Sequence, residues 1–108
     1  MIERRKFIRL KAPIGVAYKL IPEAKAEKMR LSLVRDISGG GVRIMAKEPL
    51  RVGDLLELEI QIPHLEDAIR AVGEVVWFEK KEAGVRFRDI EPADLHHILE
   101  YVHTIGIG

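Results

Sequence analysis

The chain has 108 residues, 47% of them hydrophobic, a net charge of +1 and no cysteine. That suits one globular domain with a modest core. It excludes disulfides and thiolate metal sites. No apolar run approaches the roughly 18 residues of a membrane span, and the N-terminus lacks the apolar stretch of a signal peptide. A cytoplasmic protein without membrane insertion is the simplest expectation.

The small net charge hides an asymmetry. Residues 1–30 hold nine Lys/Arg against three Glu, whereas residues 31–108 hold nine against fourteen Asp/Glu. A basic leader on a mildly acidic body predicts a local anion site rather than a basic face for nucleic acid.

Taken in chain order, the leader Arg4-Arg5-Lys6-Phe7-Ile8-Arg9 comes first. Ile14, Val16, Tyr18 and Leu20 then alternate with Gly15, Ala17 and Lys19, the period of a half-buried strand that Pro22 ends. Glu23 to Lys28 reads as a loop or a single helical turn. Met29, Leu31 and Leu33 alternate into Asp36, and Val42, Ile44 and Ala46 alternate after three glycines. Pro49 to Gly53 marks a turn. Leu56, Leu58, Ile60 and Ile62 give the cleanest alternation. Ile69 to Phe78 predicts a long strand in which Gly73 marks a bulge or bend. Glu79 to Glu82 predicts a hairpin turn, and Val85 and Phe87 a last strand.

The period then changes. Leu95, Ile98, Leu99 and Val102 fall at i, i+3, i+4 and i+7, one face of a helix, with Pro92 at its first position and Asp94 in its first turn. The tail from Ile105 to Gly108 is expected not to continue it. Six short strands and one C-terminal helix predict an all-β domain, either a small antiparallel barrel or a sandwich.

Two stretches carry chemistry. Arg5 and Arg9 close an Arg-x-x-x-Arg motif with Arg4 before it. Each guanidinium is a planar fork that fits a phosphate or the O6/N7 edge of guanine, and it also stacks on a purine. Asp36-Ile37-Ser38-Gly39-Gly40-Gly41 places a carboxylate and a hydroxyl two apart, on one side of a strand, before bare backbone. A carboxylate accepts from guanine N1–H and N2–H. Asp, Ser and Gly are equally the standard residues of a β-turn. Trp77, the only tryptophan, is either a packing residue or a stacking surface at a site rim. The histidines His64, His96, His97 and His103 do not form a metal-ligand pattern, and Ser38 has no partner typical of a nucleophile. No enzyme activity, metal or cofactor is expected.

The two motifs in this order, with Gly73-Glu74-Val75-Val76-Trp77 and Gly84-Val85-Arg86-Phe87 as a late hairpin and a closing helix, resemble the PilZ domain family over essentially the whole chain. The resemblance implies a six-stranded antiparallel β-barrel and a bacterial receptor for cyclic di-GMP. It divides the chain into a flexible basic segment (1–11), a barrel (12–90) and a helix (92–104). By the same resemblance, Arg5 and Arg9 would clamp phosphates and guanine edges, Asp36 and Ser38 would bind guanine, and Gly40 and Gly41 would allow close approach. Family members with a basic residue in the place of Arg4 can take an intercalated ligand dimer, which leaves one or two ligands per chain open. Trp77 is a possible rim contact. Ligand binding would order the N-terminal segment and signal to an unidentified downstream protein, from a monomer or weak dimer. The alternatives are a small-barrel nucleic-acid binder and a protein-binding adaptor that has lost its ligand.

Overall fold

A computed structural model describes residues 8–21 and 28–107, with side chains at 14–21 and 28–105. Arg4 and Arg5 lie outside the described residues, and Arg9 is described through its backbone only. Six strands and one helix follow in the order β1 (Ile8–Ile21), β2 (Arg30–Ile37), β3 (Gly41–Met45), β4 (Leu55–Ile60), β5 (Ile69–Glu79), β6 (Glu82–Ile90) and α1 (Pro92–Ile107). Every strand pairing is antiparallel, and the sheet closes as a barrel in the order β1-β2-β3-β6-β5-β4. Closure gives each strand two neighbours and removes the exposed edge. The strand pattern alone left barrel and sandwich open and the family resemblance implied a six-stranded barrel; the structure is that barrel.

The alternation of apolar residues sets which way each strand faces. Leu56, Leu58 and Ile60 point inward and are almost wholly buried, with Glu57 exposed between them. Ile14, Val16 and Tyr18 do the same on β1, and Val42 and Ile44 on β3. Each such aliphatic side chain contributes about 1.5–3 kcal/mol when buried. Ile98 of α1 is fully buried and joins the same core. No helix among the described residues is long and apolar enough to cross a membrane.

Two boundaries differ from the expectation. β1 starts at Ile8, so Ile8 to Lys11, assigned above to the basic leader, belong to a strand. Its ladder with β2 is irregular between Arg9 and Ile14, a stretch containing Pro13, which has no N–H to donate. That break hid the early part of the strand from a period-two reading. α1 continues to Ile107 rather than stopping at Thr104. A glycine near a helix end costs only about 1 kcal/mol, so Gly106 does not stop it.

Two expected irregularities are present. The β5–β6 register shifts between Val72 and Gly73. Lys80 and Lys81 form a two-residue hairpin turn with φ of 53° and 64°, the backbone of a type I′ turn, made here without the usual Asn or Gly.

At Gly41 the backbone of β3 lies directly against that of β6. A Cβ there would stand 2.1 Å from the Val85 carbonyl oxygen on β6. The Gly40 carbonyl accepts a bond of 2.9 Å from the Phe87 N–H on the same strand. Gly41→Ala must therefore part β3 from β6, and we expect a loss of about 3 kcal/mol in urea unfolding.

Tyr18, 2% exposed, supplies a pH dependence. Burial first, then the Glu48 carboxylate, pushes its hydroxyl above the usual value of 10.0, with Arg30 opposing. The folded chain thus holds the proton more tightly than the unfolded chain does. The stabilisation is complete below about pH 10 and is lost as pH rises toward the folded-state pKa. Urea unfolding followed from about pH 8 to pH 11 should show a decline that Tyr18→Phe makes shallower.

Candidate functional site

The site begins with one row of backbone partners crossing the barrel wall. Arg9 on β1 pairs with Asp36 on β2, Asp36 with Arg43 on β3, Arg43 with Gly84 on β6, and Gly84 with Trp77 on β5. Directly opposed residues of antiparallel strands share a face. Asp36, Arg43, Gly84 and Trp77 accordingly line one cleft of about 770 Å³, together with Ser38 to Gly41 and with Leu99 and Val102 of α1.

A tight turn joins β2 to β3. The Ser38 N–H donates to the Gly41 carbonyl at 2.9 Å, and the Gly40 N–H donates to Ser38 Oγ at 3.1 Å. Ser38 is 3% exposed, so its hydroxyl serves the turn, the reading that its residue types favoured as a turn. Gly41 is fixed by β6, as above. Gly40 differs, because it is exposed and a Cβ on it would meet only Ser38 Oγ, at 3.8 Å.

Asp36 is not a free carboxylate. Its Oδ2 takes a 2.6 Å ion pair from Arg43 Nη2. Arg43 Nη1 reaches Glu82 Oε1 at 3.3 Å, and the other oxygen of Glu82 faces Arg35 Nη1 at 3.6 Å. Asp36 Oδ1 and Arg43 Nε are buried and have no hydrogen-bond partner among the described residues. Arg43 was not among the residues singled out from the sequence. A signal was present: the Ser38–Gly41 turn fixes Ile37 against Val42, which sets Asp36 against Arg43.

Trp77 lies on Gly84. A Cβ on that glycine would fall 2.1 Å from the indole nitrogen. The ring thus covers bare backbone across β5 and β6 and is still 38% exposed toward the cleft. Both readings of Trp77 therefore hold part of the geometry: it packs, and it forms a wall. Val76 and Leu99, 42% and 48% exposed, give the cleft an apolar flank.

Arg86, also on the cleft wall, pairs with Glu74 at 3.4 Å, and Arg88 hydrogen-bonds the same carboxylate. The Arg88 bond, with the charge of both arginines, holds Glu74 below the usual carboxylate range. The group is open to solvent, so this cluster tunes surface charge and adds little to stability. On α1, His96 and His97 approach Glu100 at 3.3 and 3.9 Å. Among the described residues, no three His, Asp or Glu side chains converge to hold a metal ion.

Comparison with known proteins agrees with this architecture. The chain resembles the Bacillus subtilis inhibitor of motility (MotI/DgrA) at 22% identity and a TM-score of 0.75, over 98% of this chain and 53% of that one. It thus spans about half the length of that relative. The PilZ domain of YcgR from Escherichia coli, solved with cyclic di-GMP, matches at 16% identity and a TM-score of 0.68, over 97% of this chain and 93% of that one. The PilZ domain of CeSA from a cellulose-synthesizing bacterium matches at 11% identity and a TM-score of 0.65, over 92% and 98%. At these identities the likeness is one of fold. No curated protein matches the chain. The sequence description of the PilZ domain covers residues 3–104, and with that extent matched the chain belongs to the PilZ domain family.

Proposed function

We propose that this domain is a cytoplasmic receptor for cyclic di-GMP that acts through a partner protein rather than by catalysis. The observation that carries the reading is the position of the second motif. Asp36 and Ser38 to Gly41 line a cleft of about 770 Å³, and the backbone of Arg9, the last arginine of the first motif, is the direct strand partner of Asp36. The end of the first motif thus meets the start of the second through backbone pairing. The cyclic di-GMP bound by the PilZ domain of the Escherichia coli protein supports the same ligand class.

In this reading Arg4, Arg5 and Arg9 supply the guanidinium forks for two phosphates and for guanine edges. Asp36 accepts from a guanine base, Ser38 holds the turn, and Gly40 leaves room for the ligand over exposed backbone. Trp77 is a rim contact. The segment ahead of β1 closes on the ligand, and the surface it forms there is what the partner reads. Charged hydrogen bonds contribute about 1.5–3 kcal/mol each, while fixing each residue of a segment costs about 1–2 kcal/mol. The difference suits a micromolar receptor, about −8 kcal/mol.

Titration calorimetry with cyclic di-GMP and cyclic di-AMP tests this. The guanine dinucleotide should bind and quench Trp77 fluorescence, and the adenine one should bind more weakly. Arg5→Ala and Arg9→Ala should each abolish measurable binding with the fold intact. Asp36→Ala should narrow the preference for guanine. Gly40→Ala should keep stability within about 0.5 kcal/mol and still lose affinity, unlike Gly41→Ala, which fails through the fold. Unchanged affinity in either arginine variant would remove the clamp.

A further inference from the structure

We propose that Arg43 is the positioning residue for Asp36, fixing the plane of that carboxylate so that its second oxygen is presented to the guanine base. The inference rests on the cyclic di-GMP reading of the cleft and goes beyond it, since Arg43 belongs to neither sequence motif.

The argument starts from the geometry of a carboxylate. Its two oxygens share one plane, so a short bond to one oxygen orients the lone pairs of the other. Arg43 Nη2 holds Asp36 Oδ2 at 2.6 Å. The opposite end of the guanidinium is held by Glu82 at 3.3 Å, and Glu82 also faces Arg35. The fork is thus fastened on both sides, and Asp36 cannot turn without breaking a chain that runs across β2, β3 and β6. The side chains of Asp36 and Arg43 are 14% and 23% exposed, so solvent screens the pair only in part.

The second observation is what the pair leaves unmet. Asp36 Oδ1 and Arg43 Nε are buried with no partner among the described residues. Buried polar atoms are nearly always hydrogen-bonded, and an orphaned one is costly. Among the described residues, an acceptor and a donor without partners thus sit on one ion pair whose two residues line the cleft. Guanine offers N1–H and N2–H as neighbouring donors beside the O6 acceptor. A donor from the base satisfies Oδ1 in the direction that Arg43 has already set. A lysine at position 43 would carry the charge without the planar fork and could not fix the carboxylate plane.

The alternative is that Arg43 only staples β2 to β3. A double-mutant cycle separates the two. Affinities for cyclic di-GMP and cyclic di-AMP would be measured by calorimetry on the wild type, Arg43→Met, Arg43→Lys, Asp36→Asn and the Asp36→Asn/Arg43→Met double variant, with urea unfolding of each. We expect Arg43→Met to lose about tenfold or more in cyclic di-GMP affinity and to narrow the preference over cyclic di-AMP. Arg43→Lys should recover only part of this. With Asp36→Asn already in place, Arg43→Met should have little further effect, because the residue it positions is gone. Arg43→Met binding like wild type, or losing as much with Asp36→Asn as without it, overturns the proposal. Should Arg43→Met not fold, Glu82→Gln loosens the same fork from behind and should narrow the same preference; an unchanged preference there overturns the proposal equally. A wild type that fails to bind cyclic di-GMP overturns the underlying reading, a result distinct from binding that is indifferent to Arg43.

Discussion

The bare Cα of Gly41 against the Val85 carbonyl is the contact on which the rest of the site depends. β3 is only five residues long, and it must join β2 to β6 for the barrel to close. The approach at Gly41 lets the start of β3 lie directly on β6, and the Gly40–Phe87 hydrogen bond secures it. With β3 in that place, Arg43 falls between Asp36 and Gly84, and the row from Arg9 to Trp77 is continuous. A side chain at position 41 would therefore disturb the barrel before it could disturb any ligand. The glycine of the second motif is explained by the fold itself, whatever the cleft holds.

This changes how the second motif is understood. Read as a sequence, Asp36, Ser38 and Gly41 look like three recognition groups. In the structure their chemistry is divided. Ser38 closes a turn, Gly41 admits a neighbouring strand, and Asp36 is half engaged by Arg43. Only Asp36 Oδ1 and the open space beside the Gly40 Cα are left as features that the fold does not itself use among the described residues. The motif spacing is thus first a device for making a tight corner at a barrel rim, and that corner is where a carboxylate can be held out of bulk water.

Much of the fold was legible because one period dominated each segment. Leu56, Leu58 and Ile60 alternate without interruption, and their strand is where the pattern puts it. The change of period at Leu95 marks α1 equally well. The signal failed where a local irregularity broke it, as at Pro13 in β1, or where a residue was judged by type alone, as with the glycine near the end of α1. Barrel closure depends on β1 meeting β4, a pairing distant in sequence that no local pattern encodes. At the site, residue types gave Asp36, Ser38 and the glycines. They did not give Arg43, whose importance comes from cross-strand register, nor Leu99, which the helical period assigns to the apolar face and the structure leaves half exposed.

Leu99 has a mechanical meaning. Its terminal methyl group stands where a Cβ on Gly39 would be, at 2.7 Å, so α1 rests directly on the corner between β2 and β3. Packed interiors transmit displacement because they contain little free volume. A change of backbone position at Gly39 therefore meets the Leu99 side chain, whose chain neighbour Ile98 is fully buried in the core. The closing helix and the glycine corner are thus in direct contact, so a bulkier residue at position 39 would be felt by α1 as well as by the turn.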